Sequence, residues 1–320
     1  MKSIGSRIAA IVVAAAAGIA NAQYPSRPIT LIVPFAACGP TDTLARIMGE
    51  RMSRSLGGAI VVENVAGAGG TIANNRMQQA AADGYTVAIG HLGTHVLAPA
   101  VQQLNVDYVN GFEPVAMIAT NPQVMVSKKD LPAKDLKELV ALAKAQPGKL
   151  NYASPGSGSV PHVGMELFKQ QTGADFTHVP YKGAGPAMQD VIAGNVQVTV
   201  ATPPSLLGFV QSGRMRALAL AAKQRHPQLP DVPTAAEAGF PGFELEAWVA
   251  LFAPAGTPPE AINRLTAAVK EALASPEAME KIRVTGMTQR YLPPAELDGI
   301  VRSDLAYWSK VITNAKIKAD

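Results

Sequence analysis

The 320-residue chain has few of the residues on which most enzyme and nucleic-acid motifs depend. Its single cysteine, Cys38, excludes a disulfide bond within the chain. Aromatic residues make up 5% of the sequence, and no lysine and arginine cluster is interleaved with them, which argues against a nucleic-acid interface. The Walker loop, the G-x-S-x-G elbow and the H-E-x-x-H motif are absent. The common sequence signatures of nucleotide hydrolysis, serine hydrolysis and zinc proteolysis are therefore missing.

Long apolar runs are also missing, apart from one near the N-terminus. Lys2 and Arg7 precede an unbroken run of apolar and small residues over 8–20, and residues 20–22 (Ala-Asn-Ala) match the A-x-A pattern of a cleavage site. The run is shorter than the roughly 20 residues that a membrane-spanning helix needs. We therefore predict a cleavable signal peptide over 1–22 and export to the periplasm. Losing Lys2 and Arg7 lowers the formal net charge from +4 to +2.

The rest of the chain alternates between short β-rich runs and amphipathic helical runs. Residues 29–90 have the order strand, helix, strand, helix, strand, and the strands are apolar throughout, which predicts a parallel sheet covered on both faces. The pattern restarts over 135–222, which predicts a second α/β unit inserted into the first. We expect two doubly wound α/β lobes joined by two hinge strands. One lobe comprises 23–123 plus 243–320, and the other comprises 124–242.

The C-terminal part of the chain, after a proline-punctuated link over 226–248, is predicted to be helical. Thr257 and Glu260 flank a proline pair with the spacing of a capping box, which predicts a helix capped by Thr257. Ser275, followed by proline, predicts the start of another helix.

Three features could support a cofactor, metal or nucleophile site. Gly67–Gly70 follows a strand but lacks the third glycine and the acidic residue of a dinucleotide loop, so we interpret it as a tight turn. His91 and His95 are four residues apart, but Gly93 intervenes, which favours loop hydrogen bonding over zinc. Cys38 precedes a predicted helix, where a thiolate is stabilised, yet no base is identifiable for it. We therefore expect no cofactor, no metal and no nucleic-acid partner.

The remaining signal is a repeated arrangement at the ends of five predicted strands. Each strand ends in a loop rich in glycine, proline, serine or threonine, and three of these loops lead directly into a helix. Ligands of open α/β sheets bind outside the carboxyl ends of strands, and a helix N-terminus presents unpaired N–H groups that favour an anion. No loop contains arginine, the usual partner of a carboxylate. We therefore predict a crevice between the lobes where amides, hydroxyls and water hold a small anion.

Eight segments of the chain, in order, carry a resemblance to a known family. They are YPSRPITLIVPF, GPTDTLAR, VVENVAGAGGTIA, ADGYTVAIG, PGKLNYASPGSGSVPH, HVPYKGAGPAMQD, LPDVPTAAEAGFPGFE and FAPAGTPPEAINRL. They resemble the Bug family, the periplasmic solute-binding proteins of tripartite tricarboxylate transporters, over essentially the whole mature chain. The resemblance implies a bilobal, type II-like periplasmic-binding-protein fold that closes over a substrate and holds one carboxylate with backbone amides and water. It also implies a monomer that delivers its ligand to integral membrane permease subunits.

Position by position, the resemblance assigns ligand-binding residues to the five loops. Asp42 is expected to orient its loop rather than to face an anionic ligand, because like charges repel. Tyr181 is open to a second interpretation as a core residue, and Lys182 as a solvated lysine. The full set is Phe35, Ala37, Cys38, Gly39, Thr41, Asp42, Gly93, Thr94, His95, Ser154, Gly156, Ser157, Gly158, Ser159, Tyr181, Lys182, Ala201, Thr202 and Pro203.

Two departures from the family pattern bear on the ligand. The first loop usually reads Pro-Phe-Pro-Pro-Gly-Gly, whereas residues 34–39 read Pro-Phe-Ala-Ala-Cys-Gly, so Cys38 is expected to affect the shape of the loop rather than a reaction. Many members carry an aspartate at the end of the fifth strand, where this chain has residues 200–202 (Val-Ala-Thr). A cationic or zwitterionic amino acid then has little to pair with. The predicted ligand is a di- or tricarboxylate, or an aromatic carboxylate such as terephthalate.

Two other functions remain open from the sequence. An exported hydrolase could use Cys38 or a hydroxyl within Ser154–Ser159 as its nucleophile. A receptor of the same architecture could also signal to a membrane kinase instead of delivering its ligand.

Overall fold

The computed structural model describes residues 24–102, 107–108, 110–181 and 183–318. The predicted signal peptide over 1–22 lies outside the described residues, and so does Lys182. Within the described ranges, no helix combines the length and the apolar character needed to cross a bilayer.

Eleven strands and ten helices follow one another along the described residues. The strands are β1 (Ile29–Val33), β2 (Ile60–Asn64), β3 (Thr86–His91), β4 (Phe112–Pro122), β5 (Val124–Lys128), β6 (Asn151–Ser154), β7 (Thr177–Pro180), β8 (Val198–Ala201), β9 (Met215–Leu220), β10 (Glu246–Pro254) and β11 (Thr288–Leu292). The helices are α1 (Pro40–Leu56), α2 (Thr71–Gln78), α3 (Ala98–Gln102), α4 (Leu136–Ala145), α5 (Val160–Thr172), α6 (Ala184–Ala193), α7 (Pro203–Gln211), α8 (Pro259–Ala274), α9 (Pro276–Val284) and α10 (Pro294–Asn314).

The first sheet has the strand order β11-β4-β10-β3-β1-β2. Strand β1 pairs in parallel with both β2 and β3, which confirms the βαβαβ unit predicted for residues 29–90. The C-terminal part is helical over α8, α9 and α10, as predicted, but the prediction that it is helical was wrong for β10 and β11, which are strands antiparallel to their neighbours. All of β10 after Glu246 is buried. A short run that is apolar on both faces has no periodicity to distinguish a strand from a helix.

The second sheet has the order β7-β6-β8-β5-β9. Strand β6 is parallel to β7 and β8, and β5 is antiparallel to β8 and β9. Pro122 ends β4 in the first sheet and Val124 begins β5 in the second, so only Gln123 separates the two sheets on this connection. The chain returns to the first sheet between β9 and β10.

Backbone hydrogen bonds join the two connections between the sheets. The Gln123 N–H donates to the Leu245 carbonyl at 3.2 Å, and the Gln123 carbonyl accepts from the Ala221 N–H at 2.8 Å. The Leu245 N–H in turn donates to the Ala221 carbonyl at 2.8 Å. Because the crossing segments are bonded to each other, a rotation of one sheet against the other must bend both of them together.

Strand direction brings the five predicted loops to the ends of the sheets that face this crossing. Strand β4 is parallel to β1 and β3, since both β3 and β4 run antiparallel to β10, and its carboxyl end, Pro122, leads into the crossing. In the second sheet, Ala201 at the end of β8 pairs with Val124, the first residue after the crossing. The carboxyl ends of β6 and β7 point the same way.

Helix starts follow the predicted caps in one case and not in the other. Ser275 caps α9, as predicted, by accepting a hydrogen bond from the Ala278 N–H. Helix α8 instead begins after Pro258, and the Thr257 hydroxyl donates to the Pro254 carbonyl at 2.7 Å. The predicted capping box was wrong because the preceding turn already engages that hydroxyl.

Candidate functional site

The first loop, between β1 and α1, is organised by a buried carboxylate. Asp42 is 2% exposed, and its Oδ2 accepts from the Cys38 N–H at 2.9 Å and from Arg46 Nε at 3.0 Å. Its Oδ1 accepts from Asn64 Nδ2 at 2.9 Å. Burial raises the pKa of Asp42, but the hydrogen bonds from Arg46, Asn64 and Cys38 outweigh it and hold the pKa below its usual value. The carboxylate orients the loop, as predicted.

Cys38 has a backbone conformation that normally requires glycine. Its φ is 65°, in the left-handed region, and its thiol is free and exposed. An L-residue in this region costs about 1–2 kcal/mol relative to glycine. The expectation that Cys38 affects the shape of the loop is consistent with this conformation.

The start of α1 leaves N–H groups available. Gly39 is its N-cap and provides no side chain, and Pro40, at the first position, has no N–H. The Thr43 N–H is the first to find a helical acceptor, the Gly39 carbonyl at 2.9 Å. By position, the N–H groups of Thr41 and Asp42 have no acceptor within the helix.

The second loop, after β3, has internally paired polar groups. The Gly93 N–H donates to His91 Nδ1 at 3.0 Å. The Thr94 hydroxyl accepts from the His91 N–H at 3.1 Å and lies 3.0 Å from His95 Nδ1. A π-helical turn over Gly93–Leu97 then leads into α3.

The side chain of His95 lies in the core behind the second loop, not at the surface of a crevice. It has no exposed surface, and its ring stacks on Phe252 at 4.4 Å and contacts Phe112 at 4.8 Å. Burial lowers the pKa of His95 to about 3, and the nearby His91 acts in the same direction. Among the described residues, no group of three potential ligands could hold a metal ion.

The third loop begins at Ser154, which is fully buried. Its Oγ accepts from the Gly156 N–H at 3.1 Å and lies 2.6 Å from His178 Nε2. A serine beside an imidazole is the arrangement of an activated nucleophile. Here, however, the hydroxyl has no exposed surface and already accepts a loop amide, so a substrate has no path to it.

The remainder of the third loop is held by the first turn of α5. Ser159 is the N-cap and accepts from the His162 N–H at 3.4 Å. The Gly158 N–H donates to His162 Nδ1 at 3.0 Å. Ser157, which directly precedes Gly158, is half-buried.

The fourth loop is joined to the third. The Tyr181 N–H donates to the Ser154 carbonyl at 2.9 Å, and its hydroxyl donates to Asp190 Oδ2 at 2.5 Å. Burial and the hydrogen bond with Asp190 raise the pKa of Tyr181 to about 12. The loop then leads into α6, whose N-cap, Gly183, makes no side-chain cap. The first two residues of that helix, Ala184 and Gly185, are exposed.

The fifth loop offers hydroxyls instead of amides. Ala201 is buried, and Thr202, the N-cap of α7, has its Oγ1 3.1 Å from Ser205 Oγ. Pro203 and Pro204 occupy the first two helical positions and carry no N–H.

Close glycine contacts show where the loops meet across the two sheets. A side chain on Gly158 would lie 3.1 Å from Ala98, and one on Gly93 would lie 3.3 Å from Val160. The second and third loops are therefore in contact.

Comparison with known proteins identifies the family of the chain. The sequence profile of the tripartite tricarboxylate transporter family receptor, TctC, matches residues 44–317. The chain belongs to this family. The Bug relationship and the bilobal α/β fold predicted from the sequence are thereby confirmed.

Solved structures similar to this receptor cover nearly all of it. The periplasmic binding protein BugD is 32% identical, with a TM-score of 0.84 over 93% of this chain and 100% of its own. MatC (Rpa3494) from Rhodopseudomonas palustris, with bound malate, is 36% identical, with a TM-score of 0.81 over 90% and 100%. R. palustris Rpa4515, with adipate, is 36% identical, with a TM-score of 0.86 over 92% and 99%.

Three residues that shape the receptor's loops were not identified from the sequence. His162 and His178 hold the third loop, and Asn64 holds the first. The spacing of His162 and His178 along the chain matches no metal-ligand pattern, so it gives no sign of their role. The position of His162, four residues after Gly158 and inside the first turn of a helix, is the signal that could have indicated its contact.

Proposed function

We propose that this receptor captures a small carboxylic acid in the periplasm by closing its two lobes over it, and delivers it to integral membrane permease subunits. The observation that carries the proposal is a pair of helix N-termini, those of α1 and α6, that have no side-chain cap and follow strands of different sheets. Each leaves first-turn N–H groups without helical acceptors, and such groups favour an anion.

Several N–H groups of the five loops cannot donate to a ligand, because they are already paired or absent. Side chains of the protein already accept four loop N–H groups, those of Cys38, Gly93, Gly156 and Gly158. The first two residues of α7 are prolines, which have no N–H to donate. We therefore assign the carboxylate contacts to the first turns of α1 and α6, with the Thr202 hydroxyl as a further donor.

Asp42 does not oppose an anion at the start of α1. Arg46, Asn64 and the Cys38 N–H surround its carboxylate and compensate its charge. The N–H of the same residue remains available to a ligand.

The ligand class follows from the fifth loop and from the relatives. Residues 200–202 contain no acidic side chain that could pair with the amino group of an amino acid. MatC and Rpa4515 hold malate and adipate, both of which are dicarboxylates. The first loop has exposed Ala36 and Ala37 where the family has prolines, which leaves room for a larger acid. We propose a di- or tricarboxylate, or an aromatic carboxylate such as terephthalate.

A binding role is better supported than hydrolysis. Ser154, the serine with an imidazole beside it, is sealed from solvent, and the matched family is one of receptors. Ester turnover by the purified protein that is lost in Cys38→Ser or Ser157→Ala would contradict this interpretation.

Isothermal titration calorimetry with terephthalate, protocatechuate, citrate, malate, adipate and glutamate tests the ligand class. We expect tight binding of at least one acid without an amino group, together with a more compact small-angle scattering envelope when it is bound. Tight binding of glutamate alone would contradict the ligand class. An unchanged envelope would contradict lobe closure.

A further inference from the structure

The side chains of Tyr152, His162 and His178 stack on one another beside the third loop. We call these three residues the ring stack. The two imidazole rings are 4.2 Å apart with planes within 8° of each other. The Tyr152 ring stacks on His178 at 4.8 Å and 19°. Tyr152 and His162 are buried, so the stack has little freedom to shift.

Both imidazoles contact the loop through ring nitrogens. His162 Nδ1 accepts the Gly158 N–H at 3.0 Å. His178 Nε2 lies 2.6 Å from Ser154 Oγ, which in turn accepts the Gly156 N–H at 3.1 Å. The ring stack thus fixes the N–H groups of both Gly156 and Gly158.

The loop needs such fixing because its two glycines are conformationally free. Gly156 has a φ of 130° and Gly158 a φ of 78°, both in regions that glycine alone enters readily. Without acceptors for their N–H groups, the loop would sample many conformations and lose entropy on ordering.

The conformation of this loop also sets the contact between the lobes. Gly158 packs directly against Ala98 at the start of α3, and Val160 lies against Gly93 in the second loop. A displaced third loop would therefore disturb the surface on which the lobes meet.

We propose that His162 and His178 are positioning residues that hold the third loop in the conformation in which it meets the second loop and the lobes close over the ligand. They act through Gly158 and through Ser154, and do not themselves contact the ligand. Preorganising a binding loop increases affinity by removing the cost of ordering it. This inference rests on the proposed function, and it specifies what prepares the site for its ligand.

Paired substitutions at His162 separate the acceptor from the ring. His162→Phe keeps a ring that stacks on His178 but removes the acceptor for the Gly158 N–H. His162→Asn removes the ring but places an acceptor oxygen near the position of Nδ1. With terephthalate and adipate as calorimetric probes, we expect His162→Phe to weaken binding about tenfold, the equivalent of one hydrogen bond. His162→Asn should stay close to the wild-type affinity.

A second pair of substitutions, at His178, tests the same inference independently in case a His162 variant misfolds. His178→Gln keeps a polar atom near Ser154 Oγ and should retain affinity, whereas His178→Phe should not. Hydrogen exchange of the peptide containing residues 156–159 should become faster in both phenylalanine variants and remain slow in the amide variants.

Thr266→Val is the matched stability control, because it removes the hydrogen bond of 2.9 Å from the Thr266 hydroxyl on α8 to the Val115 carbonyl on β4, and neither residue belongs to the third loop. It should lower the melting temperature without changing affinity. Wild-type affinity in both phenylalanine variants, or equal losses in the phenylalanine and amide variants, overturns the inference alone. A wild-type receptor that binds none of the acids overturns the proposed function and the inference with it.

Discussion

Acid should destabilise this receptor, and His95 should account for much of the effect. The imidazole is fully buried against Phe252, and burial lowers its pKa from 6.5 to about 3. The unfolded chain takes up a proton near pH 6.5, whereas the folded chain does so only near pH 3. The stability is therefore complete above pH 6.5 and is lost progressively as the pH falls from 6.5 towards 3.

The two pKa values give the size of the loss. Between pH 7 and pH 5, a single histidine with these values removes about 2 kcal/mol from the free energy of unfolding. His91, whose pKa burial lowers to about 4, acts in the same direction. In His95→Phe the aromatic packing survives, and the variant loses only the contact with the Thr94 hydroxyl, which is worth about 1 kcal/mol.

Urea unfolding at pH 7, 6 and 5 measures this contribution. The wild-type receptor should lose about 2 kcal/mol more than His95→Phe between pH 7 and pH 5. Thr94→Val is the matched control, since it breaks the same contact but keeps the titrating ring, and it should show the wild-type pH dependence. Equal pH dependence in the wild type and His95→Phe would refute the assignment, because His91 titrates in both proteins.

Three further substitutions test the loops. Cys38→Gly should raise the free energy of unfolding by about 0.5–1 kcal/mol in urea titration, because relief of the left-handed φ exceeds the entropy cost of glycine; a decrease would contradict it. Thr41→Pro removes an N–H from the first turn of α1 and should weaken carboxylate binding about tenfold or more by calorimetry, whereas Thr41→Ala keeps the N–H and should not. Two consecutive prolines already start α7, so a second proline directly after Pro40 is compatible with a helix start in this chain. Gly286→Ala should lower stability by about 2 kcal/mol, because Gly286 has a φ of 75° and an alanine Cβ there would lie 3.1 Å from Pro203. Wild-type stability would contradict this reasoning.

The sequence predicted those parts of the fold that depend on local periodicity. The parallel pairing of β1 with β2 and β3 follows from apolar strands separated by amphipathic helices. Strand β10 was missed because it is buried on both faces and has no alternation. The Thr257 cap was wrong because a hydroxyl can serve either the turn behind it or the helix ahead, and only the backbone path decides.

The positions of the candidate loops could be predicted, but the availability of their amides could not. Glycines and prolines at strand ends indicate loops and helix starts from the sequence alone. Whether a loop N–H is free depends on partners that are distant in sequence or hidden by the turn. His178 reaches Ser154 across 24 residues, and Asn64 reaches Asp42 across 22. No periodicity or spacing rule encodes such contacts.

The internally paired loops and the open helix starts have complementary physical roles. Amides that the protein's own side chains accept cannot also hold a ligand, but they fix the backbone before a ligand arrives, so that ordering costs little on binding. The uncapped starts of α1 and α6 provide the unpaired dipoles that an anion needs. In the proposed function one carboxylic acid contacts both starts, which follow strands of different sheets, and recognition of the acid is thereby coupled to closure of the lobes.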